Sequence, residues 1–359
     1  MITYDMRYYI NRQPDAMREA IETRAAACAP FVALWNSVGA DRLYLVGSGT
    51  SGNAARAAAP YLQKVLKAEV TAVSPTSLPA LVTGRHLFLF ISQSGQSTNT
   101  VAAIEKMAAY PHLALTGEAL CRINSLCPHV VLTCGHEEAG PKTMGYTATI
   151  LTLYLMALEA SRTGKTMAQT DYDAAIEKLQ QMAERMRENI ALCWDWVAAQ
   201  EKQLLLARHW AVAGAGVSQF VAGEAALKLM ETLLRPAAGF EYEEYLHGPT
   251  MMLSDDMGGM YLLPPSESAD RVRMEALADI HEKMGAPVIT VGAGEKAVRE
   301  DNQLIFAAAE DPFLAPFWQI LPSQAMGAVL PETLGTAGRG KAVFHQIDEA
   351  VGVKCKERQ

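Results

Sequence analysis

The chain has 359 residues, Lys+Arg 31 against Asp+Glu 39, a formal net charge of −8, and is 50% hydrophobic and 19% charged. At roughly 150 residues per domain this length predicts two domains with ample cores, and low charge with high apolar content excludes a disordered chain. The acidic balance, without a Lys or Arg run, is the wrong field for a nucleic-acid strand or an anionic membrane, whereas a small phosphorylated ligand needs only a local pocket.

Residues 1–20 form a lead-in that mixes charged and aromatic side chains without an apolar leader core, and no stretch approaches the ~20 apolar residues that cross a bilayer. A cytoplasmic protein with neither membrane nor nucleic acid as partner is expected. Short apolar runs then alternate with longer helical patterns, the signature of βα units and a parallel sheet. Over a first domain, 21–168, strands are predicted at 42–46, 69–73, 86–91, 113–116 and 130–133, with helices at 53–66, 99–109 and 145–162. A charged helical pattern at 171–200 fills a connector, 169–200, and reads as partly solvated. Over a second domain, 201–340, strands are predicted at 209–213, 259–263, 287–291 and 303–307, and 341–359 form a tail.

The halves repeat. Leu43-Tyr44-Leu45-Val46-Gly47-Ser48-Gly49-Thr50-Ser51 resembles Trp210-Ala211-Val212-Ala213-Gly214-Ala215-Gly216-Val217-Ser218, 167 positions on, and His112-Leu113-Ala114-Leu115-Thr116-Gly117 resembles Pro287-Val288-Ile289-Thr290-Val291-Gly292, 175 positions on. A near-constant offset predicts two tandem α/β domains, each a doubly wound parallel sheet with helices on both faces. Six cysteines (Cys28, Cys121, Cys127, Cys134, Cys193, Cys355) are scattered without a C-x-x-C, so neither a disulfide framework nor a zinc site is expected.

Chemistry gathers in the loops. Gly47-Ser48-Gly49-Thr50-Ser51-Gly52 matches the dinucleotide fingerprint formally, but the strand at 69–73 runs into Ser74-Pro75 where a ribose-binding acid is required. What remains is a glycine- and hydroxyl-rich turn at a helix N-terminus, a place for an anion. Ser92-Gln93-Ser94-Gly95-Gln96-Ser97-Thr98 opens the next helix and converges hydroxyl and backbone donors with no fixed positive charge, which suits a phosphate monoester. A plain helix cap at Ser97 or Thr98 explains one hydroxyl but not the cluster. In the second half the matching stretch is Leu262-Leu263-Pro264-Pro265-Ser266-Glu267-Ser268, where prolines remove donors and an acid repels, so that copy is expected to have lost its phosphate site.

The second half offers instead Glu224, Lys228 and Glu231 on one helix face. A solvated ion-pair face is the usual reading of this spacing, while the apolar neighbours Ala225, Ala226, Leu227 and Leu229 argue for a cleft in which a carboxylate acts as a base. Glu243-Glu244-Tyr245-Leu246-His247-Gly248-Pro249 then places His247 on a Gly-Pro turn, where a surface role and a functional one are both open.

These pieces, Gly49-Thr50-Ser51, Ser92 to Ser97, Glu224 to Glu231 and His247-Gly248-Pro249, resemble the sugar isomerase (SIS) domain proteins in their tandem form, and are most similar to the isomerase half of glucosamine-6-phosphate synthase and to bacterial fructosamine-6-phosphate deglycases. The resemblance implies that Ser51, Ser92, Gln93, Ser94 and Ser97, with Gly49 and Thr50 in the same loops, hold a sugar phosphate. It further implies that Glu231 is the catalytic base, that Lys228 stands one turn before it, and that His247 reaches into a neighbouring subunit's site, so that a homodimer or higher homo-oligomer with shared sites is expected. Glu224 is an additional candidate from its place on the helix.

Three departures qualify the resemblance. Met1-Ile2-Thr3 leads almost directly into the first domain, so no glutaminase activity is expected; Gln96 stands where the synthase has Glu; and the tail Gly352-Val353-Lys354-Cys355-Lys356 does not reproduce the synthase's ring-opening lysine motif, so neither Lys354 nor Lys356 is given that role. The implied chemistry is proton transfer between C1 and C2 of an open-chain 6-phospho sugar, read first as a deglycase releasing glucose 6-phosphate and an amine. An aldose–ketose isomerase or deaminase acting on an amino-sugar phosphate such as glucosamine 6-phosphate is the alternative, and a non-catalytic sugar-phosphate sensor the third reading. No metal or organic cofactor is expected, since an imine or carbonyl already acidifies the C–H and no metal-ligand cluster is visible. The identity of the amine is not legible.

Overall fold

The computed structural model describes residues 5–80, 82–132 and 134–355. They form two compact units, a first of residues 15–138, 142–181 and 341–355 and a second of 5–14, 139–141 and 182–340. The division falls inside helices α1 (Met6–Ala27), α6 (Gln169–Leu204) and α12 (Arg339–Val351). The first four residues of the lead-in and Thr133 of the 130–133 strand lie outside the described residues.

In the first unit α2 (Ala29–Val38) precedes five strands, β1 (Arg42–Gly47), β2 (Glu69–Val73), β3 (His86–Ser92), β4 (His112–Thr116) and β5 (His129–Val131). All pair in parallel in the order β2-β1-β3-β4-β5, with Val46 in register with both Val73 and Phe90. Strands buried on both faces explain the unbroken apolar runs, such as Leu87 to Ile91 in β3. The direction of winding reverses between β1 and β3, and open sheets take ligands outside the carboxyl ends of the strands at such a reversal. Helices α3 (Gly49–Leu66) and α4 (Thr98–Lys106) begin directly after those two strands, so their N-termini belong to this crevice.

Helix α3 starts at Gly49 rather than at 53, because glycines and hydroxyls carry no apolar period to read. Its alanines 54, 55, 57, 58 and 59 are buried, and so small a surface lets α5 (Met144–Thr163), buried along nearly its whole length, pack closely against it. Tyr61 stacks on Tyr154 with ring centroids 3.9 Å apart. On the other face of the sheet Val46, Phe88, Phe90, Ile104 and Ala114 form the core under α4.

The second unit has six strands, β6 (His209–Gly214), β7 (Ala237–Glu241), β8 (Met257–Leu262), β9 (Val288–Gly294), β10 (Val298–Arg299) and β11 (Gln303–Ala307), in the order β10-β11-β9-β8-β6-β7. Without β10 this is the first unit's order again, with the reversal between β6 and β8; β10 adds an antiparallel edge to β11. Neither β7 nor β10 is predicted from the sequence. Strand β7 reads Ala-Ala-Gly-Phe-Glu, and a Cβ on its Gly239 would stand 2.5 Å from the backbone of Ala222 and Gly223, so close packing by α7 (Ser218–Leu233) removes the side chains that would have signalled a strand. Helices α8 (Tyr242–Leu246), α9 (Ala269–Glu282), α10 (Ala315–Trp318) and α11 (Leu321–Leu334) complete the unit. In its part of α6 the residues Met186, Ile190, Cys193 and Val197 form a buried stripe while the charges stay outside. Among the described residues no helix is long and apolar enough to cross a membrane.

Candidate functional site

In the first unit the crevice between β1 and β3 is lined by two hydroxyl-rich turns. Ser48 and Ser97 occupy the N-cap positions of α3 and α4, yet neither side chain caps its helix. The Ser48 hydroxyl accepts from Asn99 Nδ2 at 2.8 Å, which ties the two turns together, and Ser92 Oγ donates to Ser97 Oγ at 3.3 Å. The plain capping role open at Ser97 is therefore not what its hydroxyl does. Thr50 and Ser51 lie in the first turn of α3 after Gly49, whose φ of +55° makes the turn. Gly95 also needs its glycine: at φ +61° a Cβ would stand 2.0 Å from Cys121 Sγ.

The tail supplies what the loop itself does not. Its backbone runs antiparallel beside the loop, with Thr98 N donating to Val353 O at 3.1 Å and Cys355 N donating to Gln96 O at 2.8 Å, and the Thr98 hydroxyl donates to Gly352 O at 2.7 Å. Lys354 Nζ then donates to Ser94 Oγ at 3.0 Å and to Ser97 Oγ at 3.3 Å. The expectation of a loop without a fixed positive charge is corrected: an amine stands in it. Burial lowers the pKa of Lys354 against the pull of Asp348 and Cys355. Lys356 lies outside the described residues.

Beneath the loop lies a second group. The Gln93 amide is buried, and neither its Nε2 nor its Oε1 has a hydrogen-bond partner among the described residues. It packs over Gly145, where a Cβ would stand 2.5 Å from Gln93 Nε2 and 3.3 Å from Glu137 Oε2. Glu137, fully buried, accepts from Thr143 N at 2.8 Å, Thr143 Oγ1 at 2.7 Å and Gly145 N at 2.9 Å, so a carboxylate closes the N-terminus of α5. Burial pushes its pKa up even against these hydrogen bonds.

In the second unit Glu224, Lys228 and Glu231 share one face of α7. Lys228 Nζ is 2.6 Å from Glu231 Oε2 and 3.3 Å from Glu224 Oε1; Lys228 and Glu224 are wholly buried, while the Glu231 side chain is 37% exposed. Of the two arrangements the spacing leaves open, the solvated face is thus excluded for Lys228 and Glu224. Burial lowers the pKa of Lys228, but the carboxylates of Glu224 and Glu231 outweigh it and raise the value overall. The result is a fixed cation that neutralises a buried acid and holds Glu231 by one oxygen. His247 lies at the C-cap of α8, exposed, with its N–H bonded to Glu243 O and Glu244 O and no side-chain hydrogen bond among the described residues. Gly248 follows at φ +146°. The acidic run before it is the first turn of α8, capped by Glu241, which accepts from Glu244 N at 3.0 Å.

The sequence agrees with a known domain over the unit that carries the hydroxyl turns, residues 38–159, which match the SIS domain family. Residues 38–159 form a SIS domain. Among curated proteins it is 27% identical over 337 residues to the glutamine–fructose-6-phosphate aminotransferase [isomerizing] of Streptococcus pneumoniae, covering 89% of this chain and 54% of that protein, so the chain spans about half the length of the curated relative it matches. Among solved structures, a candidate phosphosugar isomerase from Clostridium difficile aligns with TM-score 0.83 at 24% identity, covering 92% of this chain and 94% of the other. The C-terminal domain of glucosamine-fructose-6-phosphate aminotransferase from Francisella tularensis aligns with TM-score 0.79 at 18% identity, covering 93% and 97%.

Two residues of the first unit take places that sequence reasoning does not assign to them. Lys354 is joined to Ser94 only by the fold, and its one local signal is the strand-like Val353-Lys354-Cys355 after Gly352. Glu137 precedes Thr143-Met144-Gly145 by six residues, a weak sign of a carboxylate reaching forward to a helix start. Among the described residues no group of three or more His, Cys, Asp or Glu could hold a metal ion.

Proposed function

We propose that this SIS-domain protein is a deglycase that converts a 6-phosphofructosyl amine and water to glucose 6-phosphate and a free amine. The observation that carries the reading is Glu231, a carboxylate held on one side by the buried ammonium of Lys228 and open to solvent on the other. A base so placed is oriented by its partner yet free to reach a carbon-bound proton.

In the proposed reaction the phosphate monoester rests on the turns of the first unit, where Ser51, Ser92, Ser94 and Ser97 offer hydroxyls, Lys354 an amine and Gln93 an amide otherwise without a partner. An unpaired buried amide costs about 1–3 kcal/mol, which supports a ligand as its partner. Glu231 removes a proton from C1 of the open-chain ketosamine, and the electron pair forms the C1–C2 double bond as the C2 carbonyl oxygen takes a proton. Return of a proton to C2 gives the aldose imine. Water then adds at C1 and the C–N bond breaks, leaving the aldehyde of glucose 6-phosphate and the amine. His247, exposed and without a side-chain hydrogen bond among the described residues, is assigned the proton on the departing nitrogen or the oxygen. The proposal includes a cytoplasmic homo-oligomer in which His247 serves a neighbouring subunit.

A second reading, isomerisation or deamination of an amino-sugar phosphate, uses the same base and the same phosphate turns, and the isomerising enzyme among the relatives favours keeping it. A coupled assay of glucose 6-phosphate release from a panel of 6-phosphofructosyl amino acids separates the two. Release that disappears in Glu231→Gln supports the deglycase, and the best amine names the substrate. No release from the panel, with turnover of fructose 6-phosphate or glucosamine 6-phosphate, replaces it with the second reading.

A further inference from the structure

The second unit retains a crevice of its own. Its sheet reverses winding between β6 and β8, and at the carboxyl ends of those strands lies a cavity of about 200 Å³, the place where open α/β sheets take ligands. Its walls follow the strands: Ala215 after β6, Leu263 and Pro264 after β8, Ala293 at the end of β9, and Glu310 beyond β11.

Ser218, the first residue of α7, also lines this cavity, and it stands 167 positions after Ser51, at the matching place of the repeat. It is only 4% exposed, and its hydroxyl has no hydrogen-bond partner among the described residues. A hydroxyl so enclosed and so unpaired is aimed at the space it lines. The repeat thus keeps the crevice and its serine.

What it changes is the charge. The loop after β8 has two prolines, and its last hydroxyl, Ser268, is spent on capping α9, accepting from Asp270 N at 3.3 Å, unlike Ser97 in the first unit. Asp270, Glu310 and Asp311 line the cavity, and among the described residues no Lys, Arg or His does. Arg271, outside the lining, pairs with Glu310 at 3.5 Å and with Glu275 at 3.0 Å, Arg273 pairs with Asp270 at 3.3 Å, and Ser266 N donates to Glu310 Oε2 at 3.0 Å, so a bound cation would share Glu310 and Asp270 with these partners. An anion would meet carboxylates and few amide donors; a cation would meet carboxylates, and an apolar group would meet proline rings and the Trp318 indole.

We propose that this cavity binds a small organic ammonium ion, its charge toward Glu310 and Asp311, its apolar part against Pro264, Pro312 and Trp318, and Ser218 hydrogen-bonded to it. A simple amine and an amino acid share that chemistry. The site is independent of the deglycase reading.

The test is isothermal titration calorimetry of the full chain with n-butylammonium chloride, L-norvaline and sodium butyrate. Binding of n-butylammonium in the millimolar range is expected, weakened roughly tenfold in Glu310→Gln/Asp311→Asn and less in Ser218→Ala, with thermal melting unchanged in each. Glu231→Gln and Ser94→Ala should leave it intact. Norvaline binding above n-butylammonium assigns the site to amino acids, and the reverse to simple amines. No heat from either ammonium compound, equal binding of butyrate, or loss in Glu231→Gln with retention in the double variant overturns the proposal.

Discussion

Lys354 Nζ donates to Ser94 Oγ at 3.0 Å, across 260 residues of sequence. The hydroxyl turn thereby gains a charge that no residue near it in sequence provides. Replacing Lys354 by Met should weaken glucose 6-phosphate binding roughly tenfold to a hundredfold, the worth of about 1.5–3 kcal/mol for a hydrogen bond to a charged group. Titration calorimetry reads this directly; affinity unchanged in Lys354→Met removes the lysine from the site.

Lys228 offsets a buried carboxylate, and removing it should be costly. Lys228→Met strands Glu224, wholly buried, without its cation, and a loss of about 3–5 kcal/mol in urea unfolding is expected. Glu224→Gln combined with Lys228→Met should recover most of that loss. Glu231→Gln, at a partly exposed carboxylate, should abolish turnover while leaving the midpoint nearly unmoved.

His136 gives the first unit a sensitivity to acid. Its Nδ1 is 3.0 Å from Glu118 Oε1, which would favour an imidazolium, but burial and the nearby Lys142 and Lys354 prevail and lower its pKa to about 4. With a folded value below the ordinary 6.5, the unfolded chain takes up this proton first as the pH falls. The stabilising contribution is complete above pH 6.5 and is lost progressively toward about pH 4. Melting temperatures across that range should fall more steeply in the wild type than in His136→Gln; identical slopes would contradict the assignment.

Gly95→Ala should damage the loop in two ways. The new Cβ meets Cys121 Sγ at 2.0 Å and Cys121 Cβ at 2.8 Å, and φ of +61° is strained for alanine by about 1–2 kcal/mol. Lower melting temperature and weaker glucose 6-phosphate binding are expected together. Cys121→Ala in the same chain should restore stability only in part, because the φ strain remains; full restoration would show that the sulfur contact alone mattered.

Local pattern carried much of the architecture. The predicted 69–73 and 303–307 are β2 and β11 to the residue, because each is a short β-prone run bounded by polar or turn-forming residues. The hydroxyl turn at 92–98 was readable for the same reason, since its donors are adjacent in sequence. Strand β7 was not, because the contact that defines it, α7 against Gly239, selects for the loss of a side chain. The spacing of Glu224, Lys228 and Glu231 was legible but their burial was not, as identical spacing occurs on solvated helices. Lys354 and Glu137 act through tertiary contacts that leave only faint traces in the neighbouring sequence.

The first unit is closed by residues 341–355, which translation delivers only after every strand of the second. Until they emerge, a nascent chain can hold all of β1 to β5 with the 92–98 turn unclamped, and a contiguous fragment of 21–168 reproduces that state permanently. The piece of polypeptide that can be cut out by its ends is thus not the piece that matures as one body, and this crevice is completed only after the second unit has been synthesised.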